Sequence, residues 1–320
     1  MRIDVHNHAF PNEALALLRS DSAYGATFDG PRVSFNGSSI NMRPVNFDGA
    51  AKLEQLSAIE IDGAVLSATP VLMFTGLGEQ EALTLSRAVN AGLAAMAEAD
   101  STRLRWMAHV PLDHPDLAVT LLEEAVQAGA VGVEVPTRID GRRIDEDDYE
   151  PFWAAAARLR IVVFPHPYEN EPHPGLTRWH LDNVIGNLLE TTVTAERLIC
   201  AGVLDRHPDL QILLAHAGGF FPYQAGRLRH ARSVRPELAA APVDPWTYCG
   251  QLIFDSITHD AAALRFLLDR VGRENVVLGT DLPAPMAPEK PITELCDALG
   301  EEATQTVATT NAARLYGFAA

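Results

Sequence analysis

Residues 2–10 read RIDVHNHAF, a short apolar run followed by two histidines one residue apart. RIDVH is the first of several short apolar stretches bounded by Gly, Pro, Asn or Asp, a pattern typical of buried strands. The strand candidates are RIDVH (2–6), GAVLSAT (63–69), RWMAHVP (105–111), AVGVEVP (130–136), IVVFPH (161–166), QILLAH (211–216), LIFDS (252–256) and VVLGTD (276–281). Segments with helical periodicity, such as AAALRFLLDRVG, separate many of them.

Eight strand candidates that alternate with helices predict an α/β fold, a (β/α)8 TIM barrel, in a single domain over residues 1–320. The nearly continuous apolar strands suit a parallel sheet that is buried on both faces. A doubly wound open sheet is the second possibility. Residues 9–48 break the alternation, and their DGP and NG turns predict a small hairpin inserted after the first strand.

The composition restricts the class of partner. The net charge of −17 opposes binding to nucleic acid or to an anionic membrane. The three cysteines lie far apart without CxxC spacing, which predicts a reducing cytoplasm and neither disulfides nor a thiolate metal site. No signal pattern is present, and no apolar run approaches the roughly 20 residues that span a bilayer. We therefore expect a soluble protein that acts on a small molecule.

Metal-binding and proton-transferring side chains occur at the ends of four predicted strands. They are His6, His8, His166, His216 and Asp281. Residues i and i+2 of a strand point to the same side, so both N-terminal histidines can face the barrel mouth, where barrel enzymes build their sites. Imidazoles with a carboxylate are a ligand set of catalytic zinc. Each residue alone could be structural, but their joint placement predicts a metal site.

The other histidines receive different predictions. His109 lies within the third strand and has no evident partner, so we expect it in the core or behind the site. His114, His207 and His230 lie in loops or on helices with polar neighbours, and we expect them to be solvated.

Several motifs in chain order resemble those of one enzyme family. They include RIDVHNHAFP, NMRPV, VVFPHPY, LLAHAGGFFPYQAGRL and LGTDLPAPM. Through them the chain resembles the amidohydrolase superfamily, in particular the branch that includes 2-amino-3-carboxymuconate-6-semialdehyde decarboxylase. The resemblance implies one divalent metal, zinc or alternatively manganese, held by His6, His8, His166 and Asp281. It also implies that His216 and Asp281 are catalytic, with His216 hydrogen-bonding the metal-bound water and acting as base and then acid.

The resemblance further implies three substrate-binding residues. Arg43 would hold a substrate carboxylate, Trp179 would line the pocket, and Arg227 would reach the active site of the neighbouring subunit in a homodimer. From the residue pattern alone, Arg43 could equally be a surface hairpin residue, Trp179 a packing residue and Arg227 part of a solvated basic face.

The implied activity is non-oxidative decarboxylation of a small unsaturated or aromatic carboxylic acid. Hydrolysis of a lactone, amide or carbon–carbon bond, or hydration of a double bond, is the alternative, because one metal site can serve all of these reactions. A metal-binding scaffold without turnover is a third reading. The chain also departs from the family pattern: LPAP, not an aromatic wall, follows Asp281, and HxH replaces the glutamate of the benzoate-type decarboxylases, which favours zinc.

Overall fold

The computed structural model describes residues 1–35, 37–168, 173–239, 241 and 244–319. A parallel eight-stranded sheet forms its centre, and the strands follow chain order from one edge to the other. The strands are β1 (Ile3–Ala9), β2 (Gly63–Ala68), β3 (Leu104–His109), β4 (Gly132–Pro136), β5 (Val162–His166), β6 (Gln211–Leu214), β7 (Leu252–Asp255) and β8 (Val276–Val277). All eight predicted strands are present.

Backbone hydrogen bonds join the two edge strands and close the sheet into a barrel. Val5 N donates to Leu278 O at 2.9 Å, and His8 N donates to Leu282 O at 2.7 Å. An isolated parallel bridge between Asn7 and Leu282 joins β1 to the segment that follows β8. The predicted TIM barrel is confirmed, and the doubly wound alternative is wrong, because an open sheet would leave these edges unpaired.

A helix follows each barrel strand. They are α1 (Gly49–Ala58), α2 (Glu79–Ala97), α3 (Pro115–Gln127), α4 (Glu150–Leu159), α5 (Leu188–Cys200), α6 (Phe221–Val234), α7 (Ala261–Val271) and α8 (Pro291–Leu299). Their apolar faces pack on the outward residues of the strands to form the main core. A second core, with Val5, Phe164 and Ile253 among its members, fills the barrel interior. No helix in the described part of the chain combines the length and apolar character needed to cross a bilayer.

The insertion after β1 is more elaborate than the predicted hairpin. A helix, Asn12–Ser20, precedes three antiparallel strands, Thr27–Asp29, Arg32–Phe35 and Ser38–Asn41. The sequence pattern suggested only two strands because the strands are three or four residues long and mostly half-exposed, so their apolar alternation is weak.

The first barrel strand contains a bulge that decides where its histidines point. Asp4 pairs with Ala64 and Asn7 pairs with Leu66, so β1 has one residue more than β2 over this interval. An extra residue reverses which side chains face inward. The inward face thus changes from Val5, which lies in the interior core, to His6 and His8, which lie at the site.

Candidate metal centre

The predicted ligands converge at the carboxyl ends of the strands. One donor atom from each of His6, His8, His166 and Asp281 lies within 4.8 Å of all the others, and all four residues are buried. Nε2 of His6 and Nε2 of His8 are 3.2 Å apart. Oδ1 of Asp281 lies 3.1 Å from His8 Nε2 and 3.5 Å from His6 Nε2. Neutral imidazoles and a carboxylate gathered this closely can bind one divalent cation.

The electrostatics of the cluster favour a cation at its centre. Burial raises the cost of charge on Asp281, yet the nearby imidazoles of His216, His6 and His8 hold the pKa of this carboxyl well below its ordinary range. Burial alone would lower the pKa of His6, but the carboxylates of Asp255 and Asp281 raise it to about 10. The two carboxylates therefore favour a positive charge at the site, which a metal ion supplies without protonation of a ligand.

The ring of His166 is neutral and offers a lone pair to the site. Burial, followed by the neighbouring His8, His6 and His216, lowers the pKa of His166 well below 6.5, so its imidazole is neutral. Neither of its ring nitrogens has a hydrogen-bond partner among the described residues. A buried imidazole normally bonds through at least one nitrogen, and a metal ion would engage this lone pair.

Hydrogen bonds behind the ligands orient the two histidines of β1. His6 Nδ1 lies 2.7 Å from Oδ2 of Asp255, which ends β7. His8 Nδ1 lies 3.2 Å from Ala68 O and 3.6 Å from the buried carboxyl of Glu134. In each histidine Nδ1 has a hydrogen-bond partner, which leaves Nε2 directed at the site. Burial raises the pKa of Glu134 well above its ordinary value.

Two further buried charged residues fix the strand that carries these histidines. The Asp4 carboxylate accepts hydrogen bonds from His6 N at 3.1 Å and from Thr280 Oγ1 at 2.5 Å, and so joins the bulge of β1 to the segment after β8. The Lys52 ammonium donates to His8 O at 3.0 Å. Burial raises the pKa of Asp4 to about 6 and lowers that of Lys52 to about 7.

Sequence reasoning missed Asp4, Lys52, Glu134 and Asp255. Asp255 had a usable signal, since it lies within the predicted strand LIFDS near its carboxyl end. Lys52 sits in a helix where a charged residue normally indicates an exposed face.

His216 lies next to the four ligands without being one of them. Its Nε2 is 3.9 Å from Oδ2 of Asp281, and its ring centroid is 5.4 Å from those of His6 and His166. Its Nδ1 has no hydrogen-bond partner in the described part of the chain. The imidazole can therefore exchange a proton with a molecule bound beside the ligands.

A cavity of about 930 Å³ opens above the cluster. Its lining includes the ligands His8, His166 and Asp281, the guanidinium-bearing Arg43, and the segment 282–285 that follows Asp281. Arg43 Nη2 donates to Pro283 O at 3.0 Å, which holds the side chain at the cavity wall. A carboxylate could enter between the cluster and Arg43.

The other two predicted substrate residues lie on the surface of the single chain. Trp179 is 77% exposed, stacks with the Arg178 guanidinium at 4.5 Å, and does not line the cavity, whereas its neighbour His180 does. Arg227 is exposed on α6. The structure does not bring either residue to the ligands within one chain.

The remaining histidines divide differently from the prediction. His109 is buried, as expected for a core residue, and bonds to Ser86 Oγ and Leu72 O. His230 is exposed. The prediction of solvation is wrong for His207, which bonds to Glu150 at 2.7 Å with 12% of its side chain exposed, and for His114, which bonds to Leu77 O.

A closed β/α barrel with imidazole and carboxylate ligands at its carboxyl rim defines a metal-binding barrel protein. The chain belongs to the amidohydrolase family, whose model matches residues 3–318. This finding confirms the resemblance inferred from the motifs.

The most informative relatives are decarboxylases. The chain is 27% identical over 297 residues to a 2-amino-3-carboxymuconate-6-semialdehyde decarboxylase of Dictyostelium discoideum, covering 89% of this chain and 82% of the relative. It is 31% identical over 229 residues to a gamma-resorcylate decarboxylase of Rhodococcus jostii, covering 64% and 68%.

One similar solved structure contains a metal. The 5-carboxyvanillate decarboxylase of Novosphingobium aromaticivorans, complexed with manganese and 4-hydroxy-3-methoxy-5-nitrobenzoic acid, superposes with a TM-score of 0.83 at 22% identity. The alignment covers 99% of this chain and 96% of that one.

Proposed function

We propose that this chain is a metal-dependent carboxy-lyase that decarboxylates a small unsaturated or aromatic carboxylic acid without an organic cofactor. The observation that carries this proposal is the position of His216: its imidazole lies outside the cluster of four buried ligands, three of which line a cavity whose wall also carries Arg43. The decarboxylase names of the relatives support it.

We propose zinc as the metal, with manganese as the alternative. Three imidazoles and one carboxylate are a ligand set that suits zinc, whereas a related structure contains manganese. A divalent metal held by His6, His8, His166 and Asp281 would supply a Lewis acid next to the substrate.

The side chains of this chain then bind the acid and move one proton. Arg43 binds the substrate carboxylate through its planar guanidinium. The bond between the carboxylate carbon and the adjacent unsaturated carbon breaks, and carbon dioxide leaves. His216 delivers the proton that takes its place on that carbon. The segment 282–285 contributes small side chains and prolines to the wall, which leaves room for a substituted ring.

We propose that Arg227 and Trp179 act through a homodimer. Both side chains are exposed in the single chain, and Tyr223, one helical turn before Arg227 on α6, is 79% exposed. Large exposed aromatic side chains are typical of interfaces. We also propose a reducing cytoplasmic compartment, because the three cysteines are free.

The test is a screen of the zinc-loaded enzyme against aromatic and muconate-type acids, in which carbon dioxide release is measured. A substrate that loses carbon dioxide supports the proposal. A ring-opened or hydrated product without carbon dioxide would instead support hydrolysis or hydration.

With the substrate in hand, we expect His216→Ala to retain the metal and to lower kcat by at least ~100-fold, because proton transfer loses its donor. We expect Arg43→Ala to raise KM by ~10-fold or more through loss of a charge-assisted bond. Glu123→Gln is the control, since Glu123 pairs with Arg158 on the surface and does not line the cavity, and it should retain the wild-type rate. A His216→Ala enzyme with wild-type kcat would contradict the assigned role.

A further inference from the structure

The fully buried carboxylate of Asp255 contacts both His6, a predicted metal ligand, and His216, the predicted proton-transfer residue. Oδ2 of Asp255 lies 2.7 Å from His6 Nδ1 and accepts a hydrogen bond from His216 N at 2.8 Å. Oδ1 accepts from Ala217 N at 2.7 Å and from Ile257 N at 3.0 Å. Each oxygen thus serves two donors, and the carboxylate has no acceptor capacity to spare.

The His6 bond determines which nitrogen faces the metal. An ionised carboxylate can only accept, so the nitrogen opposite Asp255 carries the proton. The backbone N–H groups of His216 and Ala217 donate to the two oxygens of Asp255, and bonds of this kind favour the ionised carboxylate. With the proton on Nδ1, the lone pair of His6 Nε2 is free to bind a cation.

The other bonds hold the backbone that carries His216. His216 has a φ of 52° and Ala217 a φ of 56°, both in the left-handed region that costs a non-glycine residue energy. Nδ1 of His216 has no hydrogen-bond partner among the described residues, so no contact of that atom fixes its ring. The carboxylate of Asp255 instead binds the N–H groups of both strained residues.

The site allows Asp255 little room to adjust. A Cβ atom on Gly279 would lie 2.8 Å from Asp255 Cβ and 2.9 Å from His6 Cβ, so both side chains pack against bare backbone.

We propose that Asp255 is a positioning residue that serves both functions: it fixes the tautomer of the metal ligand His6, and it holds the strained turn that places His216. The role of Asp255 toward His6 depends only on the metal site. Its role toward His216 rests on the proposed function of His216.

The Asp255→Asn substitution tests both roles of Asp255 without a general loss of packing. An amide of the same shape has one oxygen, so it can serve the donors of His6 and His216 or those of Ala217 and Ile257, but not both pairs. In either orientation its NH₂ group faces two N–H donors. The matched control is Asp260→Asn, in the loop that also follows β7, where the carboxylate accepts from Ala263 N but does not contact His6.

We expect Asp255→Asn to bind zinc ~10- to 100-fold more weakly than wild type in a competition titration with a chelator. At saturating zinc we expect kcat to stay at least ~10-fold below wild type with KM within about twofold, because His216 is displaced. Asp260→Asn should match wild type in both measurements.

Wild-type zinc affinity in Asp255→Asn would overturn the proposed role of Asp255 in fixing the tautomer of His6. The zinc titration needs no substrate, so its result does not depend on which reaction the enzyme performs. A wild-type kcat of Asp255→Asn at saturating zinc would overturn the proposed role of Asp255 in placing His216. If the variant does not fold, ¹⁵N-histidine NMR of the zinc-loaded wild-type enzyme tests the proposed tautomer of His6. A proton on His6 Nδ1, assigned by its loss in His6→Gln, supports the proposal, and its absence there overturns it.

Discussion

The three histidines of the candidate metal site differ in the hydrogen bonds of their ring nitrogens. His6 bonds to a carboxylate, His8 bonds to the carbonyl of Ala68, and His166 has no hydrogen-bond partner in the described residues. The ring of His166 instead packs edge-on against those of His8 and Phe164, with centroids 4.8 and 5.5 Å away. The orientation of this third ligand therefore depends on aromatic packing, whereas the other two are also held by hydrogen bonds.

Another buried histidine makes stability depend on pH. His109 Nε2 donates to Leu72 O at 3.0 Å, and its Nδ1 accepts from Ser86 Oγ at 3.1 Å, so the neutral ring is satisfied. Burial lowers its pKa from 6.5 to about 4. Between these values the unfolded chain binds more protons, so stability falls as the pH is lowered through this range.

We predict that the free energy of unfolding of wild type, relative to His109→Gln, falls by up to about 3 kcal/mol between pH 7 and pH 4. The difference between the two proteins isolates His109, because the other groups titrate in both. Urea denaturation at several pH values measures it. Parallel curves for the two proteins would show that His109 does not titrate in this way.

At the scale of secondary structure, a buried ion cluster ties two loops at the carboxyl rim to α5. Glu190 is fully buried and lies 3.2 Å from Arg143 Nη2 and 2.8 Å from His173 Nε2. Arg143 belongs to the loop after β4 and His173 to the loop after β5. Burial would raise the pKa of Glu190, but Arg143 lowers it, so the carboxylate is charged and holds the loops in place.

Glu190→Gln replaces a fully buried carboxylate with a neutral amide, and the Arg143 guanidinium loses its ion pair with Glu190. We predict a loss of about 3 kcal/mol in the free energy of unfolding, measured by urea denaturation. Glu123→Gln is the control, because Glu123 pairs with Arg158 on the surface and should cost less than about 1 kcal/mol. Equal effects of the two substitutions would contradict a structural role for the cluster.

At the scale of the whole molecule, closure of the barrel brings the ends of the chain to one site. The segment after β8 bonds to β1, which places Asp281 against His6 and His8 and puts the 282–285 wall beside Arg43. The exposed Arg227 and Trp179 lie outside this arrangement in the single chain, and we propose that they act across a subunit interface.

We predict that two inactive variants complement each other if Arg227 acts across a homodimer. In a mixture of Arg227→Ala and His216→Ala that has been dissociated and reassembled, each heterodimer has one site with His216 and the partner's Arg227. About a quarter of the wild-type sites should then be active, given random pairing of a two-fold dimer. Turnover assays and analytical ultracentrifugation measure this. A mixture as inactive as its components would contradict action in trans.

Much of this molecule follows from local patterns in the sequence. The strands are short apolar runs, and a closed barrel places all their carboxyl ends on one rim, so His6, His8, His166, His216 and Asp281 could be brought together without coordinates. Strand periodicity and strand-end position need only neighbouring residues, which is why these predictions succeeded.

Tertiary structure alone decided the remaining features. The bulge in β1 appears only in its pairing with β2, and without it His6 and His8 would face away from the interior. Asp255 reaches His6 across 249 residues of chain, and Lys52 reaches His8 across 44. Such contacts depend on how the barrel closes, which no local pattern records. The sequence therefore determined which side chains lie at the strand ends, and the closed barrel decided which way the histidines of β1 point and which buried charges hold them there.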